Sequence, residues 1–215
     1  FFSAKSMSKL FTEDMFKLGY FSVQDESAGL VSELMNPKKD EIIIDLCAAP
    51  GGKASHISEL MGNEGKIIAV EKYLSRTEVM KSNMKRLGVK NVTFIHDDIC
   101  NPESAELKES LIGKADKILV DAPCSGLGVL SKKPDIKWKR ESEDIMKLQT
   151  LQLEILENAV RYLKDHGVII YSTCTTETEE NADVVDLFLK KNPSFKIEDA
   201  SEFVDKTVVN QNGCI

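Results

Sequence analysis

Apolar positions in this chain fall into two alternating patterns, short runs of β-branched residues and longer stretches spaced three or four apart. The clearest run is Ile42-Ile43-Ile44, which ends at Asp45 and opens into a turn of small residues, Cys47-Ala48-Ala49-Pro50-Gly51-Gly52. Successive isoleucines favour a pleated backbone, and a run apolar on both faces fits a parallel strand covered by helices. From Lys53, residues Ala54, Ile57, Leu60 and Met61 recur at helical spacing, so the amide end of a helix faces whatever the turn holds. The alternation continues: strands are predicted over 65–71, 92–95, 117–120 and 168–174, and helices over 77–87, 145–163 and 177–191. Glycines Gly88 and Gly167 close the first two of these helices. Two further helices lead in, one over 8–18 ending at Gly19 and one capped by 24–27 and stopped at Asn36-Pro37. Phe195 to Ile197 begins a sixth strand. Strand alternating with helix predicts a mostly parallel, doubly wound α/β sheet, preceded by a lead-in segment and helix over 1–36.

Four of the strands finish on or just before carboxylates: Asp45, Glu71, Asp97 with Asp98, and Asp121. A single such acid is ordinarily a solvated turn residue. Four at one edge of a sheet, beside a glycine turn, mark the place where doubly wound folds bind nucleotide-like ligands. The turn is neither a phosphate loop nor the Gly-x-Gly-x-x-Gly dinucleotide fingerprint, which argues against an NAD-type oxidoreductase. An acid at the tip of the second strand, here Glu71, suits ribose hydroxyls, because a carboxylate can accept from both.

Two cysteines share that edge. Cys124 follows the fourth strand and Cys174 ends the fifth, and consecutive parallel strands usually lie side by side. A lone cysteine is most often a small buried hydrophobe. Two at neighbouring strand tips beside an acid suggest one nucleophile and one helper. Between them, residues 131–140 carry five lysines or arginines around Trp138. That composition fits phosphate contact with base stacking, or equally a tryptophan packed on the fold among solvated lysines.

Composition narrows the class. A chain of 215 residues with 42% apolar and 29% charged residues makes one soluble domain with a sizeable core. No apolar run is long enough to span a bilayer. Five scattered cysteines with no Cys-x-x-Cys pair, and only three histidines, speak against a disulfide framework or a metal site and for reduced thiols in the cytoplasm. A net charge of −7 argues against nucleic-acid binding by the whole surface but leaves room for a local basic patch. The Phe-Phe start and abrupt Asn-Gly-Cys-Ile end suggest a piece of a longer protein.

Three ordered motifs, Asp45-Leu46-Cys47-Ala48-Ala49-Pro50-Gly51-Gly52-Lys53, Asp121-Ala122-Pro123-Cys124-Ser125-Gly126 and Ser172-Thr173-Cys174, resemble those of the Sun/Nop2/NSUN family of RNA cytosine-5 methyltransferases. Pro134-Asp135-Ile136-Lys137-Trp138, with Gln24 and Ser27, resembles the bacterial Sun (RsmB) branch, which methylates small-subunit (16S) ribosomal RNA. The resemblance implies a Rossmann-like class I fold over 37–215 that uses S-adenosyl-L-methionine, with its last strands missing at this chain end and a helical RNA-binding domain missing ahead of it. A fragment of that kind would bind cofactor but methylate weakly. It also implies RNA as partner (16S rRNA, or tRNA by the same chemistry), no metal, no membrane and a monomer. By resemblance Cys174 is the nucleophile that adds to carbon 6 of cytosine, Cys124 assists breakdown of the adduct, Asp121 holds the base's amino edge and Lys53 orients it. Cys47, Ala48, Ala49, Pro50, Gly51, Gly52 and Lys53 would wrap the methionine part of the cofactor, with Asp121 bordering it. Glu71 would hold the ribose, and Asp98, or Asp97 if the loop shifts by one, the adenine.

Overall fold

The computed structural model describes residues 13–101, 109–138, 141–210 and 213–215. Five strands, β1 (Ile42–Asp45), β2 (Lys66–Glu71), β3 (Val92–His96), β4 (Ala115–Asp121) and β5 (Leu163–Ser172), form one sheet in the order β3-β2-β1-β4-β5. Every pairing is parallel. β1 therefore sits at the centre, and the chain builds outward on one side before crossing to the other. The crevice beyond the carboxyl ends of β1 and β4 is the topological switch point at which open α/β sheets take their ligands.

The helices are α1 (Asp14–Lys17), α2 (Glu26–Leu34), α3 (Gly52–Leu60), α4 (Leu74–Leu87), α5 (Ser142–Ala159) and α6 (Ala182–Lys191). Successive side chains of a strand point to opposite faces, so neighbours in one apolar run enter different cores. Ile43, Ile67, Leu119 and Ile170 pack with Ala54 and Ile57 of α3, Met80 and Met84 of α4, and Met35 just beyond α2. Ile44, Ile68, Ile118 and Val120 pack instead with Ile155, Leu156 and Ala159 of α5 and Val184 and Phe188 of α6. Burying each such isoleucine contributes about 1.5–3 kcal/mol, which is why these strands read as continuous apolar runs.

Four expected elements are corrected. The long helix stops at Ala159 and tightens into a 3-10 turn over Val160–Tyr162, and β5 begins at Leu163 instead of Val168. Gly113 and Lys114 draw this corner to β4 by donating to the carbonyls of Arg161 and Tyr162, at 3.1 and 3.0 Å. The ladder is irregular between Ala115 and Lys117, and regular pairing resumes at Val168, where the sequence places the strand's start. The helix expected over 177–191 is regular only from Ala182. Before it, Thr178–Glu180 form a 3-10 turn and Asn181 departs from helical geometry at φ −120°, ψ −97°. No sixth strand forms among the described residues: Phe195 joins the core by its side chain, edge-on to Phe188 with ring centroids 5.2 Å apart. The helix expected over 8–18 is described only for α1, its first part lying outside the described residues. Asp25 does stand at the N-cap of α2, but its carboxylate pairs with Lys132 and does not cap the helix.

Candidate active site

The glycine turn after β1 is held from below by α4. Gly51 adopts φ 98°, and a Cβ there would fall 2.9 Å from Met84 Cε and 3.0 Å from Met80 Cγ. Only glycine lets the backbone lie this flat on the helix and start α3. At Gly52 an added Cβ would meet nothing within 4 Å, so the main chain there borders open space. Arg76 Nη2 donates to the Ala49 carbonyl at 2.6 Å and Asn83 Nδ2 to that of Pro50 at 3.0 Å. Arg76 also pairs with Glu71 at 3.2 Å, tying the tip of β2 to the turn. The half-buried Cys47 thiol packs against the core, and burial, followed by the charge of Asp45, pushes it far above the ordinary thiol range.

Carboxylates crowd this edge. Asp45 is 1% exposed and Glu71 3% exposed. Asp45 Oδ1 accepts from the Cys47 N–H at 3.3 Å, while its Oδ2 is buried with no hydrogen-bond partner. Burial first, and the nearby charge of Asp121 second, push the Asp45 carboxyl up to about 7. At the tip of β3, Asp98 is 2.8 Å from Lys72 and accepts from the Cys100 N–H. Burial works against its charge, yet these two partners hold its carboxyl below the usual range. Asp97 accepts from the Asp98 N–H at 2.8 Å.

Asp45 has a consequence for stability. Between an unfolded value of about 4 and its folded value of about 7, only the native state keeps the proton, so stability falls as pH rises through this window. Asp98 and Asp116, held low, titrate beneath it. Asp45→Asn, neutral at every pH, is expected to lose this decline and to exceed wild type at pH 8 by at most about 4 kcal/mol. Urea unfolding of both proteins at pH 5 and pH 8 measures it. A constant difference between the two across that range refutes the assignment.

One strand further, Lys53 Nζ lies 2.7 Å from Asp121 Oδ2, and Ser172 Oγ donates to Asp121 Oδ1 at 2.7 Å. Asp121 and Ser172 are register partners, so the ladder itself places the next residues of β4 and β5 together. There Cys124 Sγ and Cys174 Sγ stand 3.0 Å apart, and the Cys174 N–H donates to Cys124 Sγ at 3.2 Å. Both thiols are free. Either sulfur can donate to the other; when Cys174 ionises, Cys124 is the donor, and this bond pushes the Cys124 thiol far above its ordinary range and lowers Cys174 to about 7. The Cys124 donor is the largest influence on Cys174, and Lys53 and Lys133 add to it against burial and Asp121. The lowering favours the thiolate of Cys174, the reactive form.

The sequence-predicted residues thus occupy one edge, glycine turn at one end and thiols at the other. Lys53 and Asp121 lie between them. Two contributors escaped the sequence reading, Gln152 and Glu180, both 0% exposed beneath the Cys124 loop. Gln152 had a signal, a polar residue on the otherwise apolar stripe of α5; Glu180 had none, because its segment reads as exposed helix. Trp138, at the end of the 3-10 turn Pro134–Trp138, is 84% exposed, which removes the reading of a ring packed on the fold.

The parallel order with its central switch, the glycine turn and the acid-tipped strands give the Rossmann-like fold of class I S-adenosylmethionine-dependent methyltransferases. The edge fits a ligand that carries a sulfonium and an ammonium, since it offers buried carboxylates, one with an unpartnered oxygen, and an unfilled space at Gly52. The chain belongs to the family described as 16S rRNA methyltransferase RsmB/F, which it matches over residues 32–213. It is 40% identical over 182 residues to a probable ribosomal RNA small subunit methyltransferase B of Bacillus subtilis, covering 84% of this chain and 40% of that protein. It is 38% identical over 211 residues to a tRNA (cytosine(72)-C(5))-methyltransferase of Pyrococcus horikoshii, covering 98% of this chain and 51% of that one. The crystal structure of NSun6 from P. horikoshii with SFG superposes with a TM-score of 0.77 at 38% identity, over 86% of this chain and 46% of that one. The chain therefore spans about half or less of the length of these relatives. Among the described residues no helix is long and apolar enough to cross a membrane.

Proposed function

We propose that this chain carries the catalytic part of an enzyme that methylates carbon 5 of a cytosine in RNA, small-subunit rRNA before tRNA, acting as a cytoplasmic monomer. The observation that supports it most is the thiol pair, 3.0 Å apart, beside the Lys53–Asp121 ion pair at the edge that carries the glycine turn. Carbon 5 of cytosine is too weak a nucleophile to take a methyl group unaided. Addition of the Cys174 thiolate to carbon 6 makes it enamine-like. Each Asp121 oxygen already accepts one hydrogen bond and keeps a lone pair for the base's amino edge and protonated N3. Lys53 holds Asp121 in place at 2.7 Å. S-adenosylmethionine, when bound, supplies an electrophilic methyl group. Transfer of the carbon 5 proton to a solvent water then leaves its electron pair to re-form the 5,6 double bond and expel Cys174 as thiolate, and Cys124, its immediate neighbour, assists that elimination. In this reading Cys47 to Lys53 wrap the cofactor's methionine part, Glu71 holds the ribose and Asp98 the adenine. Glu71 must do so while paired to Arg76.

Incubation with labelled S-adenosylmethionine and unmodified transcripts is expected to place label on carbon 5 of cytosine in small-subunit rRNA. Label on tRNA alone would favour the second reading, to which the near-complete alignment with the Pyrococcus tRNA enzyme lends support. Label on neither, with cofactor bound, would leave a non-catalytic rRNA-binding assembly factor, a role for which paired thiols have no use.

RNA would approach across Trp138. Its ring is exposed, Lys137 Nζ lies 5.6 Å from the ring centroid, and Ile136 packs toward Gly126, two residues past Cys124. A base next to the target can stack there, and stacking contributes about 1–3 kcal/mol per base. Because Trp138 is the chain's one tryptophan, its fluorescence should quench when single-stranded RNA is added, and Trp138→Ala should weaken binding about 5- to 100-fold. Unchanged fluorescence at saturating RNA would exclude the ring from the interface.

A further inference from the structure

Glu180 touches neither thiol, yet it and its neighbours hold the residue on each side of both. The peptide before Cys124 is gripped by Gln152 Nε2, which donates to the Pro123 carbonyl at 3.0 Å. The peptide after it is gripped by Glu180, whose Oε1 accepts the Ser125 N–H at 2.8 Å. Gln152 Nε2 also donates to Glu180 Oε1 at 2.9 Å, closing the two grips into one unit. On the other loop, Thr173 Oγ1 donates to Asn181 Oδ1 at 2.6 Å, and Asn181 Nδ2 donates to the Thr175 carbonyl at 3.1 Å. Ser125 and Thr175 hydroxyls then join the loops at 2.9 Å, and the Gly128 N–H donates to the Cys174 carbonyl at 3.1 Å. A Cβ at Gly128 would stand 3.0 Å from that carbonyl oxygen, so the loops meet backbone to backbone.

This arrangement carries a cost. Gln152 and Glu180 are 0% exposed, and Gln152 Oε1 and Glu180 Oε2 are buried without hydrogen-bond partners. A buried carboxylate left half-satisfied is unfavourable, and apolar residues of the same volume would pack there at lower cost. What apolar residues could not do is hold Pro123 and Ser125. We propose that Glu180, with Gln152 and Asn181, is a positioning unit for the reaction: it fixes the two cysteine loops so that the Cys124 thiol stays aimed at Cys174 Sγ. The role rests on the reading of Cys174 as nucleophile. It assigns the polar residues after β5 to the thiol pair, not to the helix they precede.

The test follows alkylation of Cys174 by iodoacetamide across pH, scored by mass spectrometry of its peptide, in wild type, Glu180→Ala, Glu180→Gln and Gln152→Met. Wild type is expected to alkylate with a midpoint near pH 7. In Glu180→Ala and Gln152→Met the loops part, Cys174 moves toward an ordinary thiol of about 8.5, and alkylation at pH 7 slows about three- to fivefold once the greater nucleophilicity of the more basic thiolate is counted. Glu180→Gln keeps the acceptor for Ser125 and restores the wild-type profile. In methyl transfer, kcat should fall for the first two variants while KM for RNA and cofactor affinity hold. Folded Glu180→Ala or Gln152→Met with a wild-type alkylation profile overturns the proposal, and Gln152→Met serves if Glu180→Ala does not fold. Because alkylation needs neither RNA nor cofactor, shifted profiles in Glu180→Ala and Gln152→Met, together with a wild type that transfers no methyl group, would uphold the clamp and reject the methyltransferase reading alone.

Discussion

Cys174→Ala should abolish methyl transfer while leaving S-adenosylmethionine binding intact. Without a thiolate to add at carbon 6, carbon 5 stays unactivated, and the loss is expected to reach about 10⁴-fold or more, as when the nucleophile of a covalent mechanism is removed. Calorimetry with the cofactor and a labelled-methyl assay on the same preparation separate the two effects. Activity of the wild type should rise with pH through a midpoint at about 7, because the Cys124 donor stabilises the reactive thiolate of Cys174. Residual transfer within tenfold of wild type would remove Cys174 from the chemistry.

Cys124→Ala is expected to do something different: form the protein–RNA bond and fail to break it. A covalent species should persist on a denaturing gel, and turnover should drop about 100-fold or more, the usual range for loss of an assisting proton-transfer group. Removing the Cys124 donor also takes away the main influence that lowers Cys174, so adduct formation should shift to higher pH. A stable adduct with Cys174→Ala and none with Cys124→Ala would exchange the two roles. In the proposed covalent cycle the two substitutions report on opposite halves, and both readouts are independent of which RNA is the natural target.

Much of this frame is visible in the order of residues. The triple isoleucine, the acid-tipped strands and the glycine turn announce a parallel sheet and its ligand edge, because strand burial on two faces demands runs apolar at every position. Gly88 closes α4 in the left-handed conformation the sequence reading gives it, at φ 71°. Errors fall where local preference and long-range packing compete. The segment 160–167 continues a helical stripe, yet the carbonyls of Arg161 and Tyr162 accept from Gly113 and Lys114, and β5 starts early. Residues 177–181 look like the capped start of a helix, yet Glu180 turns inward to Ser125 and Gln152. Phe195 and Ile197 have strand-like alternation, but Phe195 packs on Phe188 instead of extending the sheet.

By itself, then, the amino-acid order determined which faces must be covered, where the chain turns and which residue types stand at the strand tips, since hydrophobic period and turn chemistry are local properties. Only the tertiary structure decided that Asp121 is paired to Lys53 and Ser172, that the two thiols face each other at 3.0 Å, and that Gln152 and Glu180 grip the backbone on either side of Cys124. Those facts depend on distances between residues 28 to 68 positions apart in the chain, which strand register and the packing of α5 against β4 create and no local pattern records.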